Sequence, residues 1–94
     1  MFWEDGEYYI GQFKDGVPHG KGIEYYSNGN IQYEGDFING EREGNAKCMT
    51  EDFYYVGQYK KGEPIKGKLY SSNRKILLYD GIFINGEPPN GIKI

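Results

Sequence analysis

The sequence has little of what most site chemistries require. It contains one cysteine, Cys48, and one histidine, His19. A lone thiol excludes an intrachain disulfide, and the two residues together are too few for a Cys/His zinc cage. Long apolar runs are missing as well. No stretch approaches the roughly 18–20 residues that cross a bilayer as a helix, and Met1-Phe2-Trp3-Glu4-Asp5 lacks the basic-then-apolar pattern of a secretory leader. The expectation is a cytoplasmic protein, with peripheral attachment to a membrane or the cytoskeleton left open. Excess positive charge is also absent: the net charge is −3, which argues against nucleic acid as a partner. With 94 residues there is room for one domain, given the usual roughly 100–200 residues each.

What is present in excess is glycine and tyrosine, 15 and 10 residues, and both are periodic. Tyr9-Ile10-Gly11-Gln12-Phe13-Lys14-Asp15-Gly16, Tyr33-Glu34-Gly35-Asp36-Phe37-Ile38-Asn39-Gly40, Tyr55-Val56-Gly57-Gln58-Tyr59-Lys60-Lys61-Gly62 and Tyr79-Asp80-Gly81-Ile82-Phe83-Ile84-Asn85-Gly86 align as Tyr-x-Gly-x-aromatic-x-x-Gly. The unit recurs after 24, 22 and 24 residues, a spacing that signals a repeat architecture. A second segment follows each unit. Gly20-Lys21-Gly22 running to Asn28-Gly29 is its clearest copy, and Gly44-Asn45-Ala46 and Gly67-Lys68-Leu69 are weaker ones. In this alignment Ala46 and Leu69 replace the second glycine, Arg74 stands for the turn glycine Gly29, and an extra residue separates Gly62 from Gly67 and Gly86 from Gly91.

Tyr, Gly and the second aromatic sit at i, i+2 and i+4, the spacing that puts all three on one face of a strand. Frequent glycine disfavours helix, and the Asp-Gly, Asn-Gly and Lys-Gly pairs are hairpin turn signals. Each repeat therefore predicts a β-hairpin. Glycine between two large rings predicts that the rings lean over the backbone there. One hairpin cannot bury such a face, whereas stacked copies can.

These residues resemble the MORN repeat, the membrane occupation and recognition nexus motif. Tyr33 to Gly44, and Gly16-Val17-Pro18-His19-Gly20-Lys21-Gly22 running to Tyr26-Ser27-Asn28-Gly29, carry the resemblance. The resemblance implies an all-β fold: an elongated, twisted, single-layer antiparallel sheet of about three and a half hairpin repeats with an aromatic-lined concave face. The expected organisation is one domain over 1–94, with repeats at about 9–32, 33–54 and 55–78, a partial repeat at 79–94 and an N-terminal cap at 1–8, where Phe2 and Trp3 lie. It implies a non-enzymatic interaction scaffold with no cofactor and no metal.

Two surfaces are candidates. The first is the aromatic ladder Tyr9, Phe13, Tyr33, Phe37, Tyr55, Tyr59, Tyr79 and Phe83, read both as core and as a groove for a partner peptide or amphipathic helix. The second is the basic cluster Lys60, Lys61, Lys66, Lys68, Arg74 and Lys75, read as an anion site for a phosphorylated or phospholipid ligand or as a solvated face. Residues 1–52 carry 11 acidic and 4 basic side chains, and residues 53–94 carry 3 and 7. That asymmetry, with an unpaired edge at Ile92-Lys93-Ile94, raises self-association through the terminal half-repeats as a third reading.

Catalysis has no constellation to carry it. Nucleophilic catalysis needs a base beside the nucleophile, and His19 in a turn and Cys48 on a strand are far apart in the repeat pattern. Glu34 and Asp36 flank Gly35 on the face opposite the rings, as a solvated outer face does. Gly20-Lys21-Gly22 precedes no helix and lacks phosphate-loop spacing.

Overall fold

A computed structural model describes residues 5–90. Seven strands follow one another: β1 (Tyr8–Lys14), β2 (Val17–Tyr25), β3 (Ile31–Ile38), β4 (Glu41–Met49), β5 (Phe53–Lys60), β6 (Glu63–Ser71) and β7 (Leu77–Ile82). All pair antiparallel in one sheet whose spatial order is the sequence order. The described residues form no helix, and the molecule measures 38 × 25 × 19 Å. The first three sequence repeats are hairpins, as the turn signals predict, and the fourth contributes β7 and the Asn85-Gly86 turn among the described residues.

The turns inside the repeats have a common geometry. Asp15-Gly16, Asn39-Gly40, Lys61-Gly62 and Asn85-Gly86 all have positive φ at both residues, the conformation that matches the right-handed twist of the flanking strands. The second and third turns also bond to the preceding repeat. The Gly40 amide donates to the Pro18 carbonyl at 2.8 Å and the Gly62 amide to that of Arg42 at 3.0 Å. The neighbouring turn amides of Asn39 and Lys61 donate to His19 Nδ1 at 3.2 Å and Glu43 Oε2 at 2.8 Å. His19 is thus a structural acceptor between hairpins.

Strand pairing sorts the chain into rows that cross the whole sheet. One row reads Gly11, Gly22, Gly35, Ala46, Gly57, Gly67 and Gly81, and the row beside it on the same face reads Tyr9, Glu24, Tyr33, Cys48, Tyr55, Leu69 and Tyr79. This register corrects the alignment of the third repeat. Gly67 pairs with Gly57 and so is the second glycine, while Leu69 occupies the tyrosine row with Glu24 and Cys48. The return strand of that hairpin is one residue shorter from its turn to the glycine row, not longer. The first two return strands hold a bulge glycine with positive φ, Gly20 and Gly44; the third has no counterpart and a narrower bulge. Arg74 does replace Gly29, adopting the same left-handed conformation at φ 65°.

Glycine is required in the row because the tyrosines lie on it. A Cβ at Gly11 would stand 2.5 Å from Gly22 Cα and 2.7 Å from the Tyr9 hydroxyl, and one at Gly22 would overlap the Tyr9 ring. Each tyrosine arches over its glycine and donates from its hydroxyl to the carbonyl three residues on: Tyr9 to Gln12 at 2.7 Å, Tyr33 to Asp36 at 2.7 Å, Tyr55 to Gln58 at 2.9 Å and Tyr79 to Ile82 at 2.6 Å. The expectation that rings lean over the backbone holds.

Candidate functional site

The rings form one continuous edge-to-face series. In spatial order it runs Phe13, Tyr9, Phe37, Tyr33, Tyr59, Tyr55, Phe83 and Tyr79, with centroid separations between 5.0 and 5.5 Å. Every tyrosine touches the aromatic of its own repeat and, except Tyr79, that of the next. Such geometry satisfies the ring quadrupoles and adds about 0.5–1.5 kcal/mol per pair beyond area burial. Tyr9, Tyr33, Phe37, Tyr55, Tyr59 and Phe83 are each 5% exposed or less, and Phe13 at the array's edge is 46% exposed. Tyr79 is half-buried. The ladder is therefore core along its length, with its rings filled by one another and four of its hydroxyls held by the backbone. The sequence places these side chains on one face correctly, but the tips do not stay open.

Burial sets the electrostatics of this face. It raises the Tyr55 phenol to about 12 and pushes Tyr33 and Tyr59 higher still, with Arg42 partly opposing the rise at the latter two. Arg42 crosses the ladder with its guanidinium 4.7 Å from the Tyr33 ring centre and 5.8 Å from that of Tyr59. Its Nε donates to Glu24 Oε1 at 2.7 Å. Burial opposes the charge on Arg42, and Glu24, followed by Cys48 and Tyr59, together more than offset it. Cys48 sits beside this pair, with its Sγ 3.9 Å from Arg42. Sequence reading missed the pair because its members are 18 residues apart, on strands of different repeats.

The open surface is on the other face. There the glycine row forms the floor of a trough, and its walls are the residues that flank each glycine along its strand. One wall includes Ile10, Ile23, Glu34, Lys47, Val56 and Lys68; the other includes Lys21, Asp36, Asn45, Gln58 and Lys66. Two hollows of about 620 and 660 Å³ share Asn45 and Val56 and together cross from β1 to β7. Residues two apart on a strand are about 7 Å apart, which sets the width of the floor. Seven strands at about 4.8 Å spacing set its length at about 29 Å. The pleat sends any side chain at the glycine positions to the ring face, so on this face the backbone itself is exposed between the walls.

The basic cluster does not converge. Lys60 and Lys61 lie at the β5–β6 turn, while Arg74 and Lys75 lie in the β6–β7 connection at the other end of β6. Lys66 and Lys68 stand on opposite walls of the trough, and Arg74 reaches the same hollow. Arg74 is itself engaged, 4.1 Å from the Tyr54 ring centre and 3.6 Å from Met49 Sδ. Among the described residues there is no cluster able to hold a metal ion. Phe2, Trp3, Gly91 and Ile92-Lys93-Ile94 lie outside the described residues.

The family model for the MORN repeat matches residues 9–31 and 33–52. The chain carries MORN repeats. The matched segments are the first two hairpins, and the same tyrosine arch and glycine row continue through β5, β6 and β7. MORN repeats are non-enzymatic binding modules associated with protein or membrane interactions. Comparison with curated protein sequences yields no match.

Proposed function

We propose that this MORN array is a non-enzymatic protein-interaction scaffold that receives an extended partner segment in the trough opposite the ring ladder. The observation that supports the reading is the glycine-floored trough itself, walled by side chains and crossing every strand. A floor about 7 Å wide admits an extended backbone, whereas a helix about 10–12 Å across rests on the rims. The ladder face offers less: its rings are spent on each other, and Phe13 alone among them is widely exposed. The alternative, an anion or phospholipid site on the basic half, draws support from Lys66, Lys68 and Arg74 but not from Lys60, Lys61 or Lys75, which lie elsewhere.

Selection of random peptides on the immobilised full chain tests the proposal, with recovered sequences measured by fluorescence anisotropy. Ile23→Ser and Val56→Ser are expected to weaken binding by about tenfold each, equivalent to about 1.4 kcal/mol, with circular dichroism unchanged. Phe13→Ser is expected to leave it intact. Recovery of no peptide, or of peptides that respond to Phe13→Ser and not to the trough variants, overturns the proposal.

A further inference from the structure

The two halves of the trough differ in charge, and the difference lies in the balance of charged side chains that line each. Over β1 to β4 the charged walls neutralise themselves. Lys21 Nζ is 3.1 Å from Asp36 Oδ1, and Lys47 is the cross-strand neighbour of Glu34. What remains there is the apolar surface of Ile10 and Ile23. Over β5 to β7, Lys66 and Lys68 face each other across Gly67, and Arg74 closes the same hollow. Asp80, the one carboxylate lining it, is the cross-strand neighbour of Lys68, so three cations meet a single carboxylate there. Among the described residues neither Lys66 nor Lys68 has an ion-pair partner. Two ammonium groups held beside an exposed strip of backbone repel each other and attract a shared anion.

Resting on the trough reading above, we propose that the occupant is an extended polypeptide segment with an apolar end over β2 to β5 and an acidic end over β6. Strand spacing sets its pattern. Ile23 on β2 and Val56 on β5 are three strand spacings apart, about 14 Å, which an extended chain covers in about four residues. Lys66 and Lys68 lie one strand beyond Val56, about 5 Å further, or one to two residues. The segment therefore carries two apolar side chains about four residues apart, followed directly by adjacent carboxylates. The carboxylates replace water around the two ammonium groups, and the apolar pair covers the isoleucine and valine. Because the interacting charges are solvent-accessible, they govern association rate and partner choice, and their effect weakens with salt.

The test is a pair of peptide selections, one on the native full chain and one on the double reversal Lys66→Glu/Lys68→Glu. Both positions are exposed, so the variant keeps its fold, checked by circular dichroism. Peptides from the native chain are expected to carry adjacent Asp or Glu after the apolar pair, to lose about tenfold in affinity when those residues become Gln, and to weaken as salt is raised. Peptides from the reversed chain are expected to carry Lys or Arg at the same place. If both selections return the same apolar peptides without charge preference, the inference falls while the trough reading stands. If neither returns a peptide, both fall. If the native chain ignores peptides but sediments with phosphatidylserine vesicles, and the double reversal abolishes that, the basic end serves a lipid surface and the inference is overturned.

Discussion

The Glu24–Arg42 pair joins the first two repeats inside the ring face. The Arg42 side chain is 21% exposed and that of Glu24 15%, and the guanidinium stacks on two tyrosine rings. Removing one partner leaves the other charge largely buried, which costs about 3 kcal/mol for such pairs. Glu24→Ala is therefore expected to lower stability in urea by about 3 kcal/mol, with Tm falling by about 12 °C or more. Glu24→Ala combined with Arg42→Leu is expected to recover most of that loss. A double variant as unstable as the sum of the two singles would show that the residues are not coupled. No sequence signal marks this contact. Glu24 and Arg42 each resemble an ordinary strand charge, and register between hairpins alone brings them together.

Within the strand rows, the tolerance for a methyl depends on its cross-strand neighbours. Ala46 fits the glycine row because Gly35 and Gly57 lie on either side of it. A Cβ at Gly35 would stand 2.5 Å from the Ala46 Cβ and 2.7 Å from the Asn45 carbonyl. Gly35→Ala is accordingly expected to cost about 1–3 kcal/mol. In the Gly35→Ala/Ala46→Gly exchange the loss is expected to be smaller than the sum of the singles by at least about 0.5 kcal/mol. Chemical denaturation of the four proteins measures the cycle, and simple additivity contradicts the steric account. Hairpins, the ring face and the role of these glycines are all legible in the spacing Tyr-x-Gly-x-aromatic. The third return strand misleads because counting from Gly62 meets Gly67 near the position of the first glycine. A deletion hidden in a bulge changes no residue type and shows only in the pairing with Gly57. The trough was illegible for a related reason: the glycines point attention to the rings, whose space they leave open, while the trough lies on the reverse side between the residues that flank them.

For the molecule as a whole, the ladder is the core, and it titrates. Burial raises the phenols of Tyr33, Tyr55 and Tyr59 above their ordinary value near 10. The folded state therefore holds these protons more tightly than the unfolded state. The stability tied to them is complete below about pH 10 and declines as pH rises through 12. Exposed tyrosines are expected to ionise first with the β signal intact, and the buried ones together with loss of the sheet. Tyrosinate absorbance followed alongside circular dichroism distinguishes this from the contrary outcome, in which all 10 tyrosines titrate near pH 10 without unfolding.

The strands lie side by side in the order in which the chain makes them, and among the described residues no later strand passes back to clasp an earlier one. Tension on the two ends consequently bears on the outermost hydrogen bonds alone, as it does on a zip. A repeat of 22 to 24 residues, once peeled, adds roughly 80 Å of slack at about 3.3–3.6 Å per residue, twice the longest dimension of the intact sheet. Mechanically the array is a tether that gives way in hairpin-sized lengths rather than a rod that breaks.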